Sequence, residues 1–225
     1  MGARFRNREE AGLRLAAELS TYAGRREVIV LALPRGGVPV AYEVARALDA
    51  PLDVLVVRKL GLPGHEELAM GALASGGVRL LDEEVLGTFR VSQPHIDRVM
   101  AVEQKELDRR ERQYRGDRPF PDLTDRTVIL VDDGLATGST MRAAVKALRL
   151  KRPARIVVAV PVSAPETCDA FRSVADEIVC AVTPEPFYAV GLWYEDFSQT
   201  TDEEVSDLLA RAQASTPPAA AAPGQ

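Results

Sequence analysis

The chain has 225 residues, 28 Lys and Arg against 33 Asp and Glu, a formal net charge of -5 and a hydrophobic fraction of 46%. That length fits one domain with a substantial core, and a mildly acidic balance without a sustained basic patch argues against nucleic acid as the main partner. The longest apolar runs are strand-sized and the first ten residues, MGARFRNREE, are charged, so neither a membrane span nor a signal peptide is expected.

In chain order, residues 7–21 predict a helix with Asn7 as N-cap and Ala11, Leu15 and Leu19 on one face. Residues 28–33 predict a strand, followed by Pro34-Arg35-Gly36-Gly37 and a helix over 38–48. Two glycines let backbone amides approach a ligand and Arg35 adds positive charge, so this turn suits an anion; an ordinary tight turn accounts for it equally well. Residues 52–57 predict a third strand, ending in Arg58-Lys59 where α/β proteins place their ligands, with a solvated basic pair as the other reading. The segment GLPGHEE, 61–67, reads as a mobile loop, and 69–74 with 78–81 as a hairpin continuing it. Residues 93–115 predict a long charged helix whose narrow apolar stripe suits a cover over the core.

The stretch 128–140, VILVDDGLATGST, carries the most chemistry. Four aliphatic residues predict a buried parallel strand, Asp132 and Asp133 follow at its end, and a small hydroxyl-rich loop runs into a helix. Converging amides at that helix N-terminus, with the hydroxyls of Thr137, Ser139 and Thr140, favour an anion. Carboxylates beside an anion cradle suit a sugar phosphate, because they accept hydrogen bonds from vicinal ribose hydroxyls while the loop takes the phosphate. No lysine follows Gly138 as a Walker loop requires, and no GxGxxG occurs, which disfavours a dinucleotide enzyme.

Residues 155–162 and 177–182 predict further strands, with a capping box from Ser163 to Glu166 opening a helix through 174 between them. The alternation gives an α/β fold, a parallel twisted sheet with helices on both faces, whose ligands sit outside the carboxyl ends of the strands. Residues 183–197 concentrate aromatics, which by composition alone favour a core. Thr201 to Glu204 caps a last helix, the domain is expected to span 1–211, and an alanine- and proline-rich tail, 212–225, is expected to be disordered. Cys168 and Cys180 have no metal-ligand spacing and read as buried reduced thiols of a cytoplasmic protein.

Residues 128–140 resemble the thirteen-residue phosphoribosyl pyrophosphate (PRPP) motif of the type I phosphoribosyltransferases. The resemblance implies that Asp132 and Asp133 bind the ribose hydroxyls and that Ala136, Thr137, Gly138, Ser139 and Thr140 bind the 5′-phosphate. It implies that Arg35, Gly36 and Gly37, often through an unusual cis peptide, bind pyrophosphate together with Arg58 and Lys59. A flexible loop, about 60–80, would close over the reacting centre, with Glu66 and Glu67 as candidates for a base or for orienting substrate; a solvated acidic loop is the alternative. A small C-terminal hood, about 183–200, would place Phe187, Tyr188 and Trp193 at the base, with Glu195 or Asp196 near a Mg²⁺ held mainly through PRPP. Gly134 departs from the family, where many members carry an aliphatic residue, and is expected to loosen the turn. The implied activity is Mg²⁺-dependent transfer of the phosphoribosyl group to a nitrogenous base, a purine by the hood, although Ala136 occupies the position where 6-oxopurine enzymes carry an acid. A non-catalytic PRPP- or nucleotide-binding regulator of the same fold is the alternative. No nucleic-acid or membrane partner is expected, and a homodimer is.

Overall fold

A computed structural model describes residues 4–62 and 65–215, the side chains of 65–67 and 215 excepted. Helix α1 (Arg8–Glu18) starts where the Asn7 side chain accepts from the Glu10 amide at 3.0 Å, the predicted cap. Strand β1 (Val28–Ala32) is buried throughout and leads through the glycine turn into α2 (Gly37–Leu48), followed by the short β2 (Leu52–Val54). Next come β3 (Val57–Leu62), β4 (His65–Ala74) and β5 (Val78–Leu81), then α3 (Glu83–Phe89) and the long α4 (Gln93–Arg115). The second half alternates β6 (Thr127–Val131), α5 (Ser139–Arg149), β7 (Arg155–Val162), α6 (Pro165–Phe171) and β8 (Glu177–Val182), and ends in α7 (Asp202–Ser215).

Among the described residues β2, β1, β6, β7 and β8 pair in that order as a parallel sheet. Alternate residues face opposite layers, so both faces of each strand must be apolar. Val28, Val30 and Ala32 pack with Leu15, Val38, Val44 and Leu209, while Ile29 and Leu31 pack with Met141, Val145, Leu148 and Phe171. The turns after β1, β6 and β7 therefore each leave a strand covered on both faces.

The strand expected over 52–57 divides. Leu55 still donates to the Ala32 carbonyl at 2.9 Å, but Val56 pairs with Ser75 instead, donating to its hydroxyl and accepting from its amide, both at 2.9 Å. The chain thereby leaves the main sheet, and Arg58 and Lys59 fall inside β3 of a separate antiparallel sheet, order β3-β4-β5. The described part of the predicted mobile loop is the closing end of that sheet, with Leu62 opposite His65; residues 63 and 64 lie outside the described residues. Helix α3, unpredicted, is started by the Asp82 carboxylate accepting from the Val85 amide at 3.1 Å.

Two smaller expectations also change. Ser163 caps nothing: its hydroxyl donates to the Ala164 carbonyl, and α6 begins at Pro165, whose fixed φ suits a first helical position. Cys168 and Cys180 are not separate thiols but a disulfide joining α6 to β8, with Cα atoms 6.7 Å apart. Spacing gave no sign of this, because the two residues come together only when α6 folds back over the edge strand. At the last helix the box holds in both directions, Glu204 to Thr201 Oγ1 at 3.1 Å and Thr201 to Glu204 Oε2 at 2.7 Å. Helix α7 continues through Ser215, so 212–215 are helical and the predicted disordered tail otherwise lies outside the described residues. Among the described residues no helix is long and apolar enough to cross a membrane.

Candidate active site

The turns after β1, β6 and β7 are sewn side by side by backbone hydrogen bonds. Leu33 donates to the Val131 carbonyl and Leu135 to the Val162 carbonyl, each at 2.9 Å. Between them stand Asp132 and Asp133. Burial, then the charge of Asp133, pushes Asp132 well above the usual carboxylate range; burial also raises Asp133, against the lowering pull of Arg8. The Arg8 guanidinium lies 2.8 Å from Asp133 Oδ2, with side chains 11% and 16% exposed, and its Nη1 donates to the Ser198 carbonyl at 2.7 Å.

The glycine turn packs directly on this pair. A Cβ at Gly36 would overlap the Asp133 carboxylate, and one at Gly37 would lie 2.8 Å from the Val131 carbonyl oxygen and 3.0 Å from Asp132 Cα. Only glycine admits the approach. The Pro34-Arg35 peptide is cis, the conformation the resemblance implied. Arg35 Nη1 stands 3.9 Å from Asp202 Oδ1, which also accepts from the Tyr114 hydroxyl at 2.5 Å.

On the other side of the acids, Ala136, Thr137, Ser139 and Thr140 are exposed while Gly138 is buried, with φ 72° at the start of α5. Helix α6 supports this loop: Thr167 Oγ1 donates to the Ala136 carbonyl at 2.8 Å, and a Cβ at Gly138 would lie 2.5 Å from the Phe171 ring. The loop is thus held from beneath, with Thr137, Ser139 and Thr140 exposed on it.

The two cations of β3 separate. Arg58 bonds Glu103 of α4 at 2.7 Å, whereas Lys59 Nζ stands 3.4 Å from Ser139 Oγ at the start of α5. The side chains of Glu66 and Glu67 lie outside the described residues.

The C-terminal segment crosses the acid pair. The Tyr194 hydroxyl donates to the Asp133 carbonyl at 2.5 Å, and burial, then the Asp133 charge, raises its pKa and keeps it a donor. A Cβ at Gly134 would run into Val190. The turn is therefore not loosened; this glycine makes the room that the hood fills. Phe187 is half-buried in a small cluster of Phe5, Ala11, Val162 and Tyr194, Tyr188 is 80% exposed, and Trp193 lines a separate cavity of about 630 Å³ with Arg4 and Arg14. Glu195 and Asp196 are exposed; the Asp196 carboxylate accepts from the Ser198 amide at 2.9 Å. Among the described residues no group of three His, Cys, Asp or Glu converges to hold a metal.

A phosphoribosyl transferase domain model matches residues 4–185, which takes in all three turns and the acid pair. The chain belongs to the phosphoribosyl transferase family. The solved structure of TT1426 from Thermus thermophilus is 43% identical, with a TM-score of 0.82 over 92% of this chain and 98% of that one. AQ2163 of Aquifex aeolicus, 13% identical, covers 90% of this chain and 84% of its own at a TM-score of 0.51, a likeness of fold alone. Two Mycobacterium tuberculosis proteins, whose phosphoribosyl transferase names are themselves provisional, are 46% identical over 208 residues, 92% of this chain and 47% of theirs. The chain thus spans about half the length of the curated relatives it matches.

Three residues of this candidate site escaped the sequence. Arg8, Val190 and Tyr194 act on the motif from 125, 56 and 61 positions away, and nothing local marks them: Arg8 is one charge of several in a surface helix, Tyr194 one aromatic in a cluster of five. The motif supplies the acid pair, and tertiary packing supplies its neighbours.

Proposed function

We propose that the chain transfers the 5-phosphoribosyl group of PRPP to a nitrogenous base, a purine being the acceptor that an aromatic hood suits, with release of pyrophosphate. The observation that carries this reading is the packing of Gly36 and Gly37 against Asp133 and Asp132, with the hydroxyl loop on the far side. An anion turn, an acid pair and a second anion cradle lie in the order in which pyrophosphate, ribose and 5′-phosphate are joined. Ionised Asp132 and Asp133 would accept hydrogen bonds from the ribose hydroxyls and stabilise positive charge growing on the ring. The Gly36 and Gly37 amides and Arg35 would hold the leaving pyrophosphate, with Arg58 turning from Glu103 to assist. Tyr194, fixed on the Asp133 carbonyl, would keep the hood registered over the sugar.

A divalent cation fits this donor set, since among the described residues Arg8 is the cation paired with these two adjacent carboxylates, both raised by burial. Mg²⁺ would be held mainly by PRPP oxygens beside Asp132 and Asp133, with Glu195 and Asp196 at the rim, and when bound would neutralise the leaving group. The test is pyrophosphate release from PRPP with a panel of purines, pyrimidines and amines, and its loss in Asp132→Asn/Asp133→Asn. One observation favours a PRPP-binding regulator instead: Phe187, the expected stacking ring, is packed with Phe5 and Tyr194. Tight PRPP binding without turnover on any acceptor would select that reading. A homodimer completes the proposal, to be checked by sedimentation; a cytoplasmic location is proposed with it, to be checked by fractionation together with the redox state of Cys168 and Cys180.

A further inference from the structure

Neighbouring residues of a β-strand project to opposite faces. Arg58 and Lys59 are neighbours in β3, paired opposite Leu73 and Ala72 of β4, and they obey this rule. Arg58 reaches α4, where Glu103 neutralises it at 2.7 Å. Lys59 reaches the other way, to Ser139 Oγ at 3.4 Å, the first residue of α5 and a member of the phosphate loop. The two cations therefore do not address one phosphate group together.

We propose that Lys59 is a ligand of the 5′-phosphate, delivered to the loop at the start of α5 by the antiparallel sheet. The inference rests on the PRPP reading above. The loop from Ala136 to Thr140 offers amides and hydroxyls but no formal positive charge, and a phosphate dianion gains from one. Lys59 can supply it as a mobile point charge on a long stem. Among the described residues no carboxylate lies within ion-pair distance of Lys59, in contrast to Arg58. Lys59 also shares a cavity of about 490 Å³ with Arg142 and Lys146, between the antiparallel sheet and α5. Of the acids on that cavity, Asp82 is already engaged with the Val85 amide and Glu83 stands beside it. Three cations against two acids leave an excess of positive charge beside the loop, which an anion at Ser139 would relieve.

The experiment titrates ribose 5-phosphate, pyrophosphate and PRPP into the wild type, Lys59→Gln, Lys59→Arg and Arg58→Gln, with thermal melts to confirm that each variant folds. Lys59→Gln is expected to weaken ribose 5-phosphate and PRPP about tenfold while leaving pyrophosphate within about twofold, and Lys59→Arg to restore much of the loss. Arg58→Gln, which removes the neighbouring cation on the opposite face, is expected to leave ribose 5-phosphate within about twofold. Wild-type binding of all three ligands with ribose 5-phosphate affinity unchanged in Lys59→Gln, or with pyrophosphate affinity lost instead, overturns the Lys59 assignment and leaves the PRPP reading standing. A wild type that binds no PRPP overturns the PRPP reading, and this assignment with it.

Discussion

Arg8 and Asp133, 125 positions apart, meet at 2.8 Å beneath the hood, and the same guanidinium lies 4.1 Å from the Phe197 ring centroid. One side chain of the first helix thus ties the acid pair to the C-terminal segment. Arg8→Ala leaves a largely buried carboxylate without its cation and is expected to cost about 2 kcal/mol in urea denaturation. Arg8→Lys should recover only part, because an ammonium keeps the charge but not the planar stack on Phe197 or the second bond to Ser198. Equal stability of Arg8→Ala and wild type would remove this link from the account.

Gly134 and Val190 occupy one volume between them. Gly134→Ala is expected to lose roughly 1–3 kcal/mol by overpacking. Val190→Ala in the same chain should return part of that, giving a coupling of about 1 kcal/mol in a double-mutant cycle. Additive losses would mean that the hood does not rest on this turn.

Gly37→Ala meets backbone on two sides, the Val131 carbonyl and Asp132 Cα, so nothing flexible can yield. The turn must shift away from the acids. PRPP affinity is expected to fall about tenfold or more while the melting temperature falls by a few degrees. A variant that binds PRPP as the wild type does would separate this turn from the ligand.

The regular part of this molecule is written in short-range pattern. Continuous aliphatic runs gave β1, β6 and β7, and glycine or small hydroxyl residues after β1 and β6 gave the two turns beside the acid pair, because a strand buried on both faces leaves a local signature. The division after Val54 was hidden, since LDVLVV is equally aliphatic on both sides of it, and the pairing that draws the chain away, with Ser75 and then Ala74, lies about 19 residues on. The acid pair was legible as chemistry; its partner Arg8 and its cover Tyr194 were not, for they depend on which distant elements pack there. The same holds for Cys168 and Cys180, brought together only by α6 lying on β8.

Burial and then the neighbouring Asp133 raise Asp132, so the folded chain holds that proton more tightly than the unfolded chain does. This stabilisation is complete below the unfolded carboxylate pKa, about 4, and is lost as pH rises through the higher folded value. Asp132→Asn, which cannot ionise, should match the wild-type melting temperature near pH 4 and exceed it at neutral and alkaline pH. A wild type whose advantage over Asp132→Asn grows with pH would contradict the assignment.

Binding should act in the opposite sense. Ribose hydroxyls and a metal ion favour the ionised pair, so PRPP with Mg²⁺ is expected to expel protons at pH values where Asp132 is still partly protonated. Calorimetry in buffers of different ionisation heat reads this directly. An observed enthalpy independent of buffer across that range, in both wild type and Asp132→Asn, would show that the acids do not ionise on binding.

PRPP binding by the acid pair is tested by calorimetric titration of PRPP into the wild type with and without Mg²⁺, repeated on Asp132→Asn/Asp133→Asn. Metal-dependent binding to the wild type is expected, with a loss of about a hundredfold or more in the double variant, since two charge-assisted contacts to the sugar disappear. No binding to the wild type, or equal binding to both proteins, would contradict that role of the acid pair.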